Sequence, residues 1–306
     1  MDNLILLVFC FLAGMALQRF RLTPPDAPKT LNILILYLAL PAVTLQQIPR
    51  IELEWSLVYP VASSWLVFAG AWGLTTWVAR PLLRLNRAET GCLILTSGLG
   101  NTSFVGFPFL LAFYGPSALQ YGILTDQPGS FLILATLGVG LAARFRGQAS
   151  APRQLLGRVL RFPPFVAFVT AMLIGVTPLQ LPDLALPLLE AFAGMLTPLA
   201  LLSVGLQLRI ERKAIPWKPL LWGLGYKLML APLIVWALLS VWTAPQGLLF
   251  KVSIVESAMA PMITAAIVAT DHDLSPRLAN AMVGLGIPLS LITAWGWVEG
   301  LRFLYG

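Results

Sequence analysis

The side chains equipped for chemistry are few, and most sit in stretches that are otherwise apolar. Gly100-Asn101-Thr102-Ser103-Phe104-Val105-Gly106-Phe107-Pro108 interrupts a run of 36 residues, Thr90 to Thr125, that carries no charge. Asn101, Thr102 and Ser103 offer neutral hydrogen-bonding groups, and Gly98, Gly100 and Gly106 allow backbone to come close. A second polar, proline-containing interruption, Glu256-Ser257-Ala258-Met259-Ala260-Pro261-Met262, lies near the other end of the chain. A helix broken at membrane depth frees amide and carbonyl groups that only protein or a water-filled cavity can satisfy. Paired breaks in corresponding halves mark a transporter's binding site, where half-helix N-termini favour anions.

Charged side chains within apolar spans are costly and are functional candidates by default. Asp126, Glu190, Lys227 and Glu256 qualify. Asp126 either pairs with Lys227 or carries a proton while Lys227 attracts an anion. Glu256, five residues before Pro261, has three roles open to it: coordinating a cation, accepting a proton, or pairing with Lys251. Glu190 reads as interfacial. Thr44, Gln46, Gln47, Ser203 and Gln207 either line a cavity or bond helix to helix.

Other chemistries are excluded. Gly98-Leu99-Gly100 is followed by Ser103 where a dinucleotide loop needs its third glycine. Cys10 and Cys92 lie in apolar spans and His272 is the single histidine, so neither a disulfide framework nor a zinc site is expected. Asp271-His272-Asp273 reads as a turn, with Ser275-Pro276 as an N-cap and first helical residue. The carboxylates are scattered among spans, and no catalytic constellation or enzyme is expected.

The elements that must position these residues are membrane helices. The chain is 58% hydrophobic and 11% charged, against about 25% charged in soluble domains, with a mean hydropathy of +0.82. A net charge of +7 would suggest nucleic acid for a soluble protein, but the Lys and Arg residues cluster between apolar spans, facing lipid headgroups. Ten spans are expected at 2–18, 30–48, 56–79, 88–112, 118–143, 162–178, 184–207, 217–243, 247–270 and 277–301. With this assignment 16 of the 20 Lys and Arg residues fall on one side. By the positive-inside rule that side is the cytoplasm and both termini lie outside. No basic residue precedes the first span, as a cleavable signal would require, so it is expected to stay as a helix. Residues 149–161 form a basic linker between a first five-helix repeat, 1–148, and a second, 162–306. Five spans per half invert one half relative to the other, and the spacings of Pro41 to Pro198 and of Pro108 to Pro261 are similar.

These motifs, together with Thr197 to Leu208, Lys227 to Pro232 and Met259 to Ala269, resemble the auxin efflux carrier family of membrane transporters in its bacterial branch. The similarity runs from the first span to the last. It implies the fold of bile acid/sodium symporters: an all-α integral membrane protein of ten helices in two inverted repeats, with broken helices 4 and 9 crossing. Helices 1, 2, 6 and 7 would form a homodimeric scaffold, and helices 3–5 and 8–10 a transport domain that slides as an elevator. The resemblance implies a small organic anion as substrate and the bacterial inner membrane as location. Asn101, Pro108 and Pro261 would form the crossover, and Asp126 and Lys227 occupy polar positions similar to the family's. The expected substrate site is Asn101, Thr102, Ser103, Pro108, Pro261 and Lys227, with Asp126 and Glu256 coupling sodium or protons and no resident cofactor. A sodium-coupled symporter of bile-acid-like anions and a sensor without flux are the alternatives.

Overall fold

The computed structural model describes residues 2–147, 157, 159–179, 181–208, 215–243 and 247–306. Most of the expected linker, with Arg153 and Arg158, lies outside the described residues, as do Arg209, Arg212 and Lys213. Among the described residues all regular structure is helical, with one isolated backbone bridge. The helices are α1 (Asp2–Arg19), α2 (Ala27–Arg50), α3 (Trp55–Leu83), α4 (Arg87–Gly98), α5 (Thr102–Tyr114), α6 (Pro116–Arg146), α7 (Pro163–Val176), α8 (Ala185–Gln207), α9 (Trp217–Trp242), α10 (Leu248–Ser257), α11 (Ile263–Asp271) and α12 (Pro276–Tyr305). Six of these, α2, α3, α6, α8, α9 and α12, are long and apolar enough to cross a membrane, so the protein is a multi-pass membrane protein. The expected spans 88–112 and 247–270 are each two helices, α4 with α5 and α10 with α11.

Among the described residues six helical turns are widened to the π form, and prolines account for most of them. Ile35–Ala39, Thr75–Ala79, Thr102–Gly106 and Tyr226–Leu230 each end two residues before a proline, at Pro41, Pro81, Pro108 and Pro232. A proline has no N–H for the carbonyl one turn back, and its ring collides with that carbonyl. Widening the preceding turn relieves the collision. A fifth, Asp126–Phe131, contains Pro128 and a non-helical Gly129.

The chain divides into two compact units that interleave along the sequence. The first comprises Met1–Trp55, Ser103–Ile123 and Leu160–Leu208. Its core joins Ile35, Leu40, Val43, Phe107, Ala171 and Leu196. Helices α1 and α8 touch backbone to backbone: a Cβ at Gly205 would lie 2.4 Å from the Phe11 carbonyl oxygen, and one at Gly14 2.5 Å from that of Leu202. Small residues at such a crossing give the close contact that drives helix association in lipid. Ser203 donates to Asn32 Oδ1 at 2.6 Å and so bonds α8 to α2, while Gln207 Nε2 donates to Ser203 Oγ at 3.0 Å within α8. Thr44 donates to the carbonyl of Leu40, and Glu190 is exposed.

The second unit comprises Ser56–Thr102, Leu124–Val159 and Arg209–Gly306. Leu93, Leu95 and Leu99 pack there with Ile133, Leu220, Leu224, Ala265 and Met282. Helix α4 starts with a capping box, in which Asn86 and Glu89 exchange hydrogen bonds of 2.8 and 3.0 Å. At the same end Arg146 pairs with Asp273 at 3.0 Å and donates to the Asp271 carbonyl. The Asp271-His272-Asp273 segment is thus a turn. The expected cap after it differs: Ser275 precedes Pro276 in a left-handed conformation, φ 50°, and its side chain makes no capping bond.

Candidate functional site

The second unit holds both helix interruptions, and they meet. Helix α4 ends at Gly98 and Leu99 is extended; α10 ends at Ser257 and Met262 is extended. The two unwound segments run antiparallel, with a bridge between Gly100 and Pro261. Asn101 N–H donates to the Ala260 carbonyl at 2.7 Å, and Met262 N–H donates to that of Leu99 at 3.0 Å. Each break therefore satisfies backbone groups freed by the other, which in hydrocarbon would each cost several kcal/mol unpaired. Helix α12 accommodates the junction at Gly286, where a Cβ would lie 2.5 Å from Pro261 Cδ.

Around this crossover lies a small cavity lined by Ser63, Ser64 and Val67 of α3, Gly98, Gly100, Thr102, Ser130, Lys227, Glu256 and Ser257. It has room for about one water-sized occupant. Three of the polar residues at this centre sit in π turns: Thr102 opens the turn of α5, Asp126 that of α6, and Lys227 lies in that of α9. An extra residue in the turn rotates everything beyond it, and such bulges concentrate at functional sites.

Lys227 is buried and donates from Nζ to the Ser257 carbonyl at 2.8 Å. Its ammonium thus sits at the C-terminal end of α10, where the helix dipole favours a cation. Gly100 lies close against it: a Cβ at position 100 would come within 3.1 Å of that Nζ. The neighbouring Tyr226 fixes α9 to α3 by donating to the Val67 carbonyl at 2.6 Å.

Asp126 accepts from the Thr102 hydroxyl and, at 2.7 Å, from Gln127 Nε2. Asp126 belongs to the broken stretch of α6, where Gly129 has φ −92° and ψ −105°. Pro128 has no N–H to give, and side chains of α3 take up the exposed carbonyls: Ser64 donates to Thr125 at 2.9 Å and Trp65 to Pro128 at 3.1 Å. Gly129 permits the approach, since a Cβ there would lie 2.7 Å from Ser64 Oγ. Glu256 is 1% exposed, and neither of its carboxylate oxygens has a hydrogen-bond partner among the described residues. The alternative partner Lys251 reaches the Gly306 carbonyl instead, at 3.3 Å.

Of the residues singled out in the sequence, Asn101, Thr102, Asp126, Lys227, Glu256 and Pro261 lie in this unit. Ser103 and Pro108 belong to the first unit, and the bridge pairs Gly100, not Pro108, with Pro261. Ser63, Ser64, Gln127 and Ser130 were not singled out. Among the described residues no group of three or more His, Cys, Asp or Glu is placed to hold a metal.

The sequence is 25% identical to an uncharacterized transporter of Methanocaldococcus jannaschii, over 97% of this chain and 98% of the relative. It is also 25% identical to an uncharacterized transporter of Methanothermobacter thermautotrophicus, over 94% and 93%. Residues 1–298 match the profile of a family described as membrane transport protein. With that match running over nearly the whole chain, both helix breaks included, the chain belongs to the membrane transport protein family, consistent with the resemblance to auxin efflux carriers.

Proposed function

We propose that this protein is a secondary active transporter of a small organic anion, a carboxylate or auxin-like acid. It works in a bacterial inner membrane as a homodimer of ten-span subunits, built as two inverted five-helix repeats. The scaffold is helices 1, 2, 6 and 7 of the ten, and the transport domain, 3–5 and 8–10, moves against it as an elevator. The basic loops face the cytoplasm and both termini face the periplasm.

The observation that carries this reading is the antiparallel contact of Leu99–Asn101 with Ala260–Met262, with the Lys227 ammonium beside it. Two interrupted helices joined at one point present half-helix ends and amide groups together, the arrangement that transporters use for anionic solutes. The substrate carboxylate rests against the Asn101 side chain and the start of α5 at Thr102 and Ser103, with Lys227 adding attraction. Pro108 and Pro261 hold the half-helices in place. Coupling to a proton or sodium falls to Asp126 or Glu256.

Radiolabelled malonate uptake into proteoliposomes tests the reading. Wild-type protein is expected to show saturable uptake, and Asn101→Ala to lose at least 90% of it, since one lost charge-assisted hydrogen bond is worth about 1.5–3 kcal/mol. The variant should elute as the same folded species. Uptake unchanged by the substitution would remove the crossover as the binding site.

A further inference from the structure

The cavity at the crossover is lined by one ammonium, that of Lys227, and otherwise largely by acceptors. Ser63 commits its hydroxyl proton to the Pro60 carbonyl at 2.7 Å, Ser64 to Thr125 at 2.9 Å, Ser257 to Ile254 at 2.6 Å, and Thr102 to Asp126. These hydroxyls therefore turn lone pairs, not protons, toward the space between them. Glu256 adds two oxygens that receive nothing. Away from the Lys227 ammonium, this wall of lone pairs repels a carboxylate and attracts a positive charge.

The charge inventory gives the size of that charge. Around Glu256 on α10, the charged groups are Asp126 from α6 and Lys227 from α9. Helix α3 contributes serines, α4 glycines, and α12 carries Arg277, Glu299 and Arg302, all exposed, of which the last two pair with each other at 2.8 Å. Lys251, on α10 itself, is turned to Gly306. Two carboxylates against one ammonium leave a single negative charge to be neutralised. Asp126 is held by two donors, whereas Glu256 has none, so a single positive charge belongs on Glu256. The Ser257 carbonyl at the end of α10 already accepts from the Lys227 ammonium. A proton on a Glu256 oxygen needs no further ligand.

We infer that Glu256 is a proton-carrying residue, exchanging a proton with bulk water so that a neutral crossover accepts the organic anion and an ionised one expels it. The inference rests on the anion-transport reading and specifies its coupling ion. When a proton from the loading side binds a Glu256 oxygen, the site loses its net negative charge and the substrate carboxylate is no longer repelled. When that proton leaves on the far side, repulsion returns and the anion goes with it. Anion and proton therefore favour each other's binding and move in the same direction, by thermodynamic reciprocity.

Infrared difference spectroscopy of the purified full-length protein reads the proton without requiring transport. At neutral pH in sodium-free buffer the wild type should show a protonated-carboxyl C=O band that Glu256→Gln removes and Asp126→Asn leaves in place. The wild-type band should be unmoved when N-methylglucamine chloride is replaced by sodium chloride, and the melting temperature should not rise with sodium. Absence of the band in the wild type, or its persistence in Glu256→Gln, would overturn the assignment. A band abolished by sodium, or a melting temperature raised by sodium in the wild type, would also overturn it and make the cavity a sodium site. If Glu256→Gln does not fold, Asp126→Asn decides: a band that persists there belongs to Glu256, and one that disappears overturns the assignment. Failure of malonate uptake alone would count against the substrate reading and leave the proton assignment standing.

Discussion

At the scale of single residues, the recurrent device is a side chain that takes over a backbone group which a proline or glycine has set loose. Ser64 serves Thr125 and Trp65 serves Pro128, both around the break at Gly129. Leaving such a carbonyl buried and unpaired costs about 1–3 kcal/mol. Ser64→Ala should accordingly lower stability by about that amount, read as a fall in melting temperature in detergent; an unchanged melting temperature would show that water or relaxation replaces the bond. The charged members of the site were legible in the sequence because an ion in an apolar run is expensive and conspicuous. Ser63, Ser64 and Ser130 were not, because a lone hydroxyl in a span can simply return its proton to its own helix, as Thr96 does to Cys92 at 2.8 Å. Gln127 and Ser130 did leave a trace: Asp126-Gln127-Pro128-Gly129-Ser130 is a polar proline-glycine run inside a span.

At the scale of elements, the two interruptions were readable because polar residues, glycine and proline coincide in otherwise uncharged stretches. The expectation of a capping serine at Ser275 failed because sequence names the residue types of a cap but not the backbone angle, here left-handed. The widened turns were equally silent, although for four of them the signal is simple in retrospect: a proline two residues beyond the end of the turn. Pro232 is the informative test. Pro232→Ala restores the missing N–H and lets Tyr226–Leu230 close to a regular helix, which rotates Lys227 relative to α10. Relief of an interior proline is worth up to about 3 kcal/mol of helix stability. The melting temperature is therefore expected to hold or rise while malonate uptake falls at least tenfold. Uptake that survives with raised stability would show that the π turn does not aim the lysine.

At the scale of the whole molecule, composition alone established a membrane protein, whereas the number of crossings is harder to read from helix length. Helices α1 and α7 are short and two expected spans are each divided, so a length criterion finds six spanning helices where hydropathy and charge suggest ten. Orientation has a direct test. Cys10 and Cys92 are buried, so a single added cysteine dominates labelling by a membrane-impermeant maleimide. Arg84→Cys should react only after the inner membrane is opened, and Arg302→Cys in intact spheroplasts; the reverse pattern would invert the topology. The hydrogen bond from Asn101 to Ala260 also bears on biosynthesis. The partner carbonyl is made about 160 residues after the amide it receives. The backbone groups severed in the first half therefore gain these partners only once α10 and α11 have been synthesised, so the earlier break is completed by the later one.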